Sequence, residues 1–176
     1  MIHDAKKLIA AQLRQLTKTT GTVRSVTFAD AEAKANWLDA NATLDARLPE
    51  TRRLALCFAK SPVHDPNDKE ALARDIHAWV RDCIKYVNDP AGEELSDSDQ
   101  VLAAGCGDCD DKARLFVALC RSIGIESRIR PCFDGPDFVH VQAEACVGRP
   151  KRWQIVELIV RGVAFGEKPP RRAVLT

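Results

Sequence analysis

The run Gly105-Cys106-Gly107-Asp108-Cys109-Asp110-Asp111 enters directly into Lys112–Gly124, and this junction constrains the chain more than any other stretch. It reads as a glycine-bearing loop feeding a helix, with a cysteine in the first turn. Asp108 suits the N-cap, and Asp111, three residues on, completes an acidic version of a capping box. Cys109, Phe116, Cys120 and Ile123 recur at helical spacing with Leu115 and Leu119 beside them, so one face is apolar. Gly124 is the expected stop. A thiol here sits among unpaired backbone N–H groups at the positive end of the helix dipole, and both favour thiolate.

An opposing term is written into the same stretch. From Asp89 to Asp111 there are eight acidic residues and no basic one. Neighbouring carboxylates raise a thiol's pKa. A reactive thiolate therefore needs a cationic partner from elsewhere in the chain, most naturally a histidine.

With 176 residues, 45% of them hydrophobic, one well-buried core is affordable and a single domain is the default. The formal net charge of +1 gives no reason to expect nucleic-acid binding. Charge is nonetheless uneven, since Arg149 to Arg172 is basic: a solvated surface, or a docking surface for an acidic partner. Seven cysteines at scattered spacing do not form a disulfide framework. Cys57, Cys83 and Cys120 fall on apolar helical faces and read as small core residues. No signal peptide and no membrane span is apparent, so a cytoplasmic, reducing setting on synthesis is expected. No cofactor or metal is expected.

Helical periodicity covers the first part of the chain. Residues 2–17, a segment within Asp30–Asn41 centred on Trp37 and Leu38, and a segment after Pro49 with Leu54, Ala55 and Phe58 inward each read as helices. A stronger helix follows an Asn67 or Asp68 cap, with Leu72, Ile76, Trp79, Val80, Cys83 and Val87 in a broad stripe. His77 lies beside that stripe and reads as an ordinary histidine. Ala91–Ala104 reads as an acidic loop. After Gly124 the period changes: Ile125–Phe133, Phe138–Val147 and Trp153–Val160 alternate as strands, with turns at Asp134-Gly135-Pro136 and Gly148-Arg149-Pro150. Helices first and strands later imply an α+β domain with an antiparallel sheet. The division expected is a helical extension over 1–61 that docks on the domain or a partner, a core over 62–165, and a basic tail over 166–176.

The second and third strands carry His140 and Glu157. A four-residue turn over Val147–Pro150 sets His140 opposite Glu157. Val139, Val141, Ala143 and Ala145 then share an apolar face with Val156 and Leu158, and the other face presents His140, Gln142 and Glu144. Cys109, His140 and Glu157 would form a nucleophile, base and orienter. The Cys109 N–H is a candidate oxyanion donor, with Tyr86 as a second support.

Gly107-Asp108-Cys109-Asp110-Asp111-Lys112-Ala113, then Leu119–Ile125, then His140-Val141-Gln142-Ala143-Glu144, then Trp153 with Glu157, resemble the transglutaminase-like superfamily over roughly residues 72–160. The resemblance implies a papain-like core and a thiol enzyme acting on amide or peptide bonds of a protein or peptide substrate through a thioester. It also implies Cys109 as nucleophile and His140 as base. Glu157 stands where the family usually has Asp, and Gln142 where an aromatic is frequent. Ile84–Pro90 further resembles small members encoded among phage and prophage structural genes. That likeness implies an alternative: a non-enzymatic virion component with a vestigial site, joined to phage structural proteins. Other readings of the cysteines are a redox pair, Cys106 and Cys109, and a zinc site of Cys106, Cys109, Cys132 and His140. A calcium loop among Asp108, Asp110 and Asp111 lacks the required glycine.

Overall fold

The computed structural model describes residues 24–25, 28–63, 65–89, 94–134 and 137–169. The helix expected over residues 2–17 and most of the basic tail lie outside them.

Asp30 caps α1 (Ala31–Asp45) by accepting from the Ala33 N–H at 2.8 Å. Pro49 opens α2 (Pro49–Ala59), where its missing N–H costs nothing. Asp68 caps α3 (Lys69–Cys83). Where the second half of an acidic loop is expected, the chain instead forms a seven-residue helix, α4 (Ser98–Ala104). Its cause is local: Asp97 and Gln100 make a reciprocal capping box, with bonds of 2.9 and 2.8 Å, and acidic residues at a helix start are favoured by the dipole. Gly105 closes α4 at φ 68°. The cysteine helix, α5 (Cys109–Ser122), begins where the sequence indicates and ends at Gly124, whose φ is 72°.

Three strands, β5 (Ser127–Asp134), β6 (Asp137–Val147) and β7 (Arg152–Val156), form an antiparallel sheet in the order β5-β6-β7. Shorter ladders tie the loops around α5. β1 (Arg24–Ser25) pairs with β3 (Glu94–Leu95), and β2 (Lys85–Tyr86) runs parallel to β4 (Cys106–Gly107). The architecture is thus α+β, with five helices and a three-stranded antiparallel sheet among the described residues. No helix among the described residues is long and apolar enough to cross a membrane.

The β6–β7 register differs from the expected one by two residues. Ala143 faces Val156 and Val147 faces Arg152, so the turn is Gly148–Lys151. A slip of two leaves every side chain on its face, whereas a slip of one would invert them. Val141, Ala143, Ala145 and Val147 accordingly stay buried. β7 also stops earlier than expected, leaving Glu157 just beyond the ladder.

One hydrophobic cluster runs from Ala35 to Phe165. Ala35, Leu38 and Ala42 of α1 and Leu54, Ala55 and Phe58 of α2 belong to it, so the apolar stripe of 30–41, expected to dock on the domain or a partner, is covered within the chain by α5. Asp39 of α1 adds a polar tie, accepting from Arg121 at 2.8 Å and from the Ile129 N–H of β5 at 2.9 Å. Cys120 is buried as expected, but Cys83 is exposed at the end of α3 because the stripe there has turned to solvent.

Removing this helical pair should therefore unfold the chain. A variant beginning at Ser61 is expected to lose cooperative thermal unfolding. Leu38→Ala, at a position with no exposure, should cost about 2–5 kcal/mol in denaturant titration. A truncated chain that melts cooperatively would show the helices to be an appendage.

Candidate active site

The start of α5 is built from bonds around Asp108. Its carboxylate accepts from the Asp110 and Asp111 N–H groups at 2.9 and 3.0 Å. Asp111 reaches back to the Asp108 N–H and accepts from the Ser96 N–H at 3.1 Å. Gly107 is required beside them: a Cβ there would lie 2.7 Å from Asp111 Cβ. The loop is held from below by β2, where Val87 N–H donates to the Gly107 carbonyl at 3.2 Å.

Cys109 opens the helix with its thiol half-buried. The thiol donates toward Asp110 Oδ1 at 3.6 Å, and the Val141 N–H of β6 lies within bonding reach of the sulfur. The β6–β7 ladder ends at Ala143, so Val141 lies beyond it. Burial and then the Asp110 and Asp108 carboxylates push the Cys109 thiol well up, against the Val141 N–H and Lys34.

His140 directly precedes Val141 on β6 and is buried at 3% exposure. Its Nε2 meets Glu157 Oε2 at 3.1 Å, and Glu157 is fully buried. The second oxygen, Oε1, accepts from the Ile159 and Val160 N–H groups at 2.8 and 3.3 Å. Burial works against the Glu157 carboxylate, but the His140 bond and charge with these two N–H groups outweigh it and hold the group below its ordinary range. The pair forms diagonally, since the β6–β7 register, which pairs Ala143 with Val156, would set Glu157 opposite Gln142 rather than His140. With Nε2 engaged, Nδ1 is the ring atom left to serve a thiol. Tyr86 behaves differently from the expectation. It lies near the thiol, and burial, then Cys109, raises its phenol. Yet its hydroxyl donates to Asn88 at 2.7 Å and the residue is exposed, so it offers no donor to an oxyanion in this conformation.

Three supporting residues escaped sequence reasoning. His77 is buried, and its Nε2 lies 2.7 Å from the Glu157 carbonyl; a carbonyl only accepts, so the Nε2–H tautomer is fixed. Burial lowers its pKa, and it serves as a neutral post behind Glu157. Lys112 is 1% exposed and donates to the Ile84 and Arg81 carbonyls at 2.9 and 3.2 Å, closing the end of α3; burial brings it down to about 8. Lys34 of α1 pairs with Asp110. The helical stripe around Ile76 marks His77 as semi-buried, but its partner lies 80 residues away.

Among the described residues, the donor atoms of Asp108, Cys109 and Asp110 lie within 4.8 Å of one another and form the one group dense enough for a cation. Lys34 already matches the Asp110 charge. The zinc set expected as an alternative does not gather, since Cys106, Cys132 and His140 stay outside this group. A cleft of about 670 Å³ opens elsewhere, between the α3 start and the β6–β7 turn, lined by Lys69, Glu70, Glu126, Gly148 and Arg149 and by none of Cys109, His140 or Glu157.

Against known proteins, the family model of the transglutaminase-like superfamily matches residues 57–158, more than half of the chain. The chain belongs to that superfamily. No curated protein matches it. Two solved structures share the fold. One, from Parabacteroides distasonis ATCC 8503 and described as a "putative protease", aligns at TM-score 0.56 and 17% identity over 74% of this chain and 27% of that one. The other, a "putative cysteine protease" from Cytophaga hutchinsonii, aligns at TM-score 0.51 and 21% identity over 81% of this chain and 49% of that one. The chain thus spans about a quarter and about half of their lengths.

Two outcomes test this geometry. Gly107→Ala must displace the first turn of α5; we expect a loss of about 1–3 kcal/mol in thermal unfolding and slower thiol labelling. Asp111 is pushed up to about 7 by burial and then Asp108. Its folded value is raised, so the native state holds a proton that the unfolded chain releases between about pH 4 and about pH 7. Stability should fall as pH rises through that window. Asp111→Asn should raise the melting temperature at pH 8 and change it little at pH 4. An equal shift at both values would refute the assignment.

Proposed function

We propose that this chain is a thiol enzyme acting on amide or peptide bonds, with Cys109 as nucleophile, His140 as base and Glu157 as orienter. The observation that carries the reading is the buried His140–Glu157 contact at 3.1 Å on the strand whose next N–H reaches the Cys109 sulfur. Family membership supports the same chemistry.

In this reading His140 takes the Cys109 proton through Nδ1, and the sulfur attacks the substrate carbonyl carbon. The Cys109 N–H at the start of α5 faces the developing oxyanion. Collapse breaks the C–N bond, and the imidazolium returns the proton to the departing amine, leaving a thioester. Water, or a second amine, then attacks the thioester with His140 again as base, and the thiol is restored. Glu157 keeps the imidazole in the tautomer and orientation that this cycle needs, with its own carboxylate anchored by the Ile159 and Val160 N–H groups and its backbone carbonyl held by His77. A longer Glu replaces the usual Asp by reaching His140 diagonally rather than from the directly opposite position.

The elevated Cys109 thiol favours a second reading. It is a papain-like scaffold inside a protein assembly, such as a phage particle, whose site no longer turns over. Alkylation with iodoacetamide, followed by peptide mass spectrometry, separates the two. For the enzyme, Cys109 should label faster than buried Cys120 and faster than Cys106, and His140→Ala should slow it more than tenfold at pH 7.5. Glu157→Ala should slow it by about tenfold, and Glu157→Gln by less, since an amide oxygen still accepts from Nε2–H. Uniform labelling that ignores His140 supports the inert scaffold.

A further inference from the structure

The acidic helix start poses a problem that His140 alone does not answer, and the molecule places a second cation there. Lys34 lies in the first turn and a half of α1, and its ammonium pairs with Asp110 Oδ2. The lysine side chain is 12% exposed and that of Asp110 not at all. The other oxygen of the same carboxylate, Oδ1, receives the Cys109 thiol at 3.6 Å. One relay of contacts therefore joins an ammonium on α1 to the sulfur on α5. Lys34 also lies 23 residues before the first position matched by the family model, Cys57. The upstream helices thus bring more than packing to the site.

We propose that Lys34 is a positioning residue of the thiol site, which through its ion pair with Asp110 holds that carboxylate in place and sets the pH at which Cys109 becomes nucleophilic. The inference rests on the thiol-enzyme reading above.

Charge accounts for the effect. The groups around the sulfur are Asp108 and Asp110 on its own helix start, Lys34 from α1, and the Val141 N–H from β6, the residue after His140. Tyr86 on β2 faces the same cluster, and Asp89 and Asp111 face Asp108. Each carboxylate opposes ionisation of the thiol. A buried carboxylate needs a counter-charge, and removing one partner of such a pair leaves the other uncompensated. Lys34 offsets Asp110 and attracts the thiolate directly. It also fixes Asp110 Oδ1 beside the sulfur, so the thiol keeps an acceptor until His140 draws the proton.

The test is the pH profile of Cys109 alkylation by iodoacetamide in the full chain, read by peptide mass spectrometry with the other six cysteines as internal references. Lys34→Met should move the Cys109 profile to higher pH by about one unit, or roughly tenfold slower labelling on its rising limb. Lys34→Arg should restore it. Asp110→Asn should move the profile to lower pH. Circular dichroism and thermal unfolding establish which variants fold. A folded Lys34→Met with the wild-type profile overturns the inference while leaving the thiol enzyme intact. If Lys34→Met does not fold, Asp110→Asn decides: a downward move supports the proposal, and an unchanged or upward profile overturns it. Wild-type Cys109 that labels no faster than buried Cys120 at any pH overturns the thiol reading, and this inference with it.

Discussion

Everything in this fold answers to the burial of α5. Its residues from Asp110 to Cys120 are all buried, and four of those eleven have ionisable side chains. A buried charge left unmatched costs several kcal/mol, so each of the four must find its partner inside the protein, and each finds it outside α5. Asp110 takes Lys34 of α1, and Asp111 takes the Ser96 N–H before α4. Lys112 takes the carbonyls that end α3. Arg114 takes Asp45 at the end of α1 at 2.8 Å and the Ser96 carbonyl at 2.9 Å.

These pairings make the helix an axle with polar spokes. Asp45 also accepts from the Ser98 N–H and hydroxyl at 2.9 and 2.8 Å, capping α4. Asp99 of α4 in turn accepts from the Glu50 and Thr51 N–H groups, capping α2. The acidic stretch that looks hostile to a thiolate is thus largely spent on helix starts and internal ion pairs. What remains near the sulfur is Asp108 with Asp110, and Lys34 stands against them. On the sheet side, strand pairing rather than charge sets the geometry. The β6–β7 ladder ends early enough to leave the Val141 N–H beside the sulfur and the Glu157 carboxylate beside His140.

Much of this was legible from residues alone wherever the signal was local. The caps at Asp68 and Asp108, the Pro49 start and the Gly124 stop depend on side chains within three or four positions of the backbone they serve. The change from helical period to alternation at Gly124 marks the sheet. Alternation also put His140 and Glu157 on one face, because face depends on parity, and a two-residue error in register leaves parity unchanged. The short helix Ser98–Ala104 was missed although its capping box is local, since acidic composition there reads equally well as loop.

Sequence by itself determined the α+β order, the thiol at a capped helix start, and the candidate base and orienter in the later, strand-forming part of the chain. Only the tertiary structure decided which charges meet. Lys34 and Asp110 are 76 positions apart, His77 and the Glu157 carbonyl 80 apart. Neither pairing leaves a periodic trace, because one charged or polar residue per helix turn is equally compatible with solvent. Tertiary packing also turned the stripe of 30–41 from an apparent docking face into core, since amphipathicity states that a face must be covered and says nothing of what covers it. The physical reason is common to all three: burial is a property of the whole packed chain, and it makes those partners obligatory.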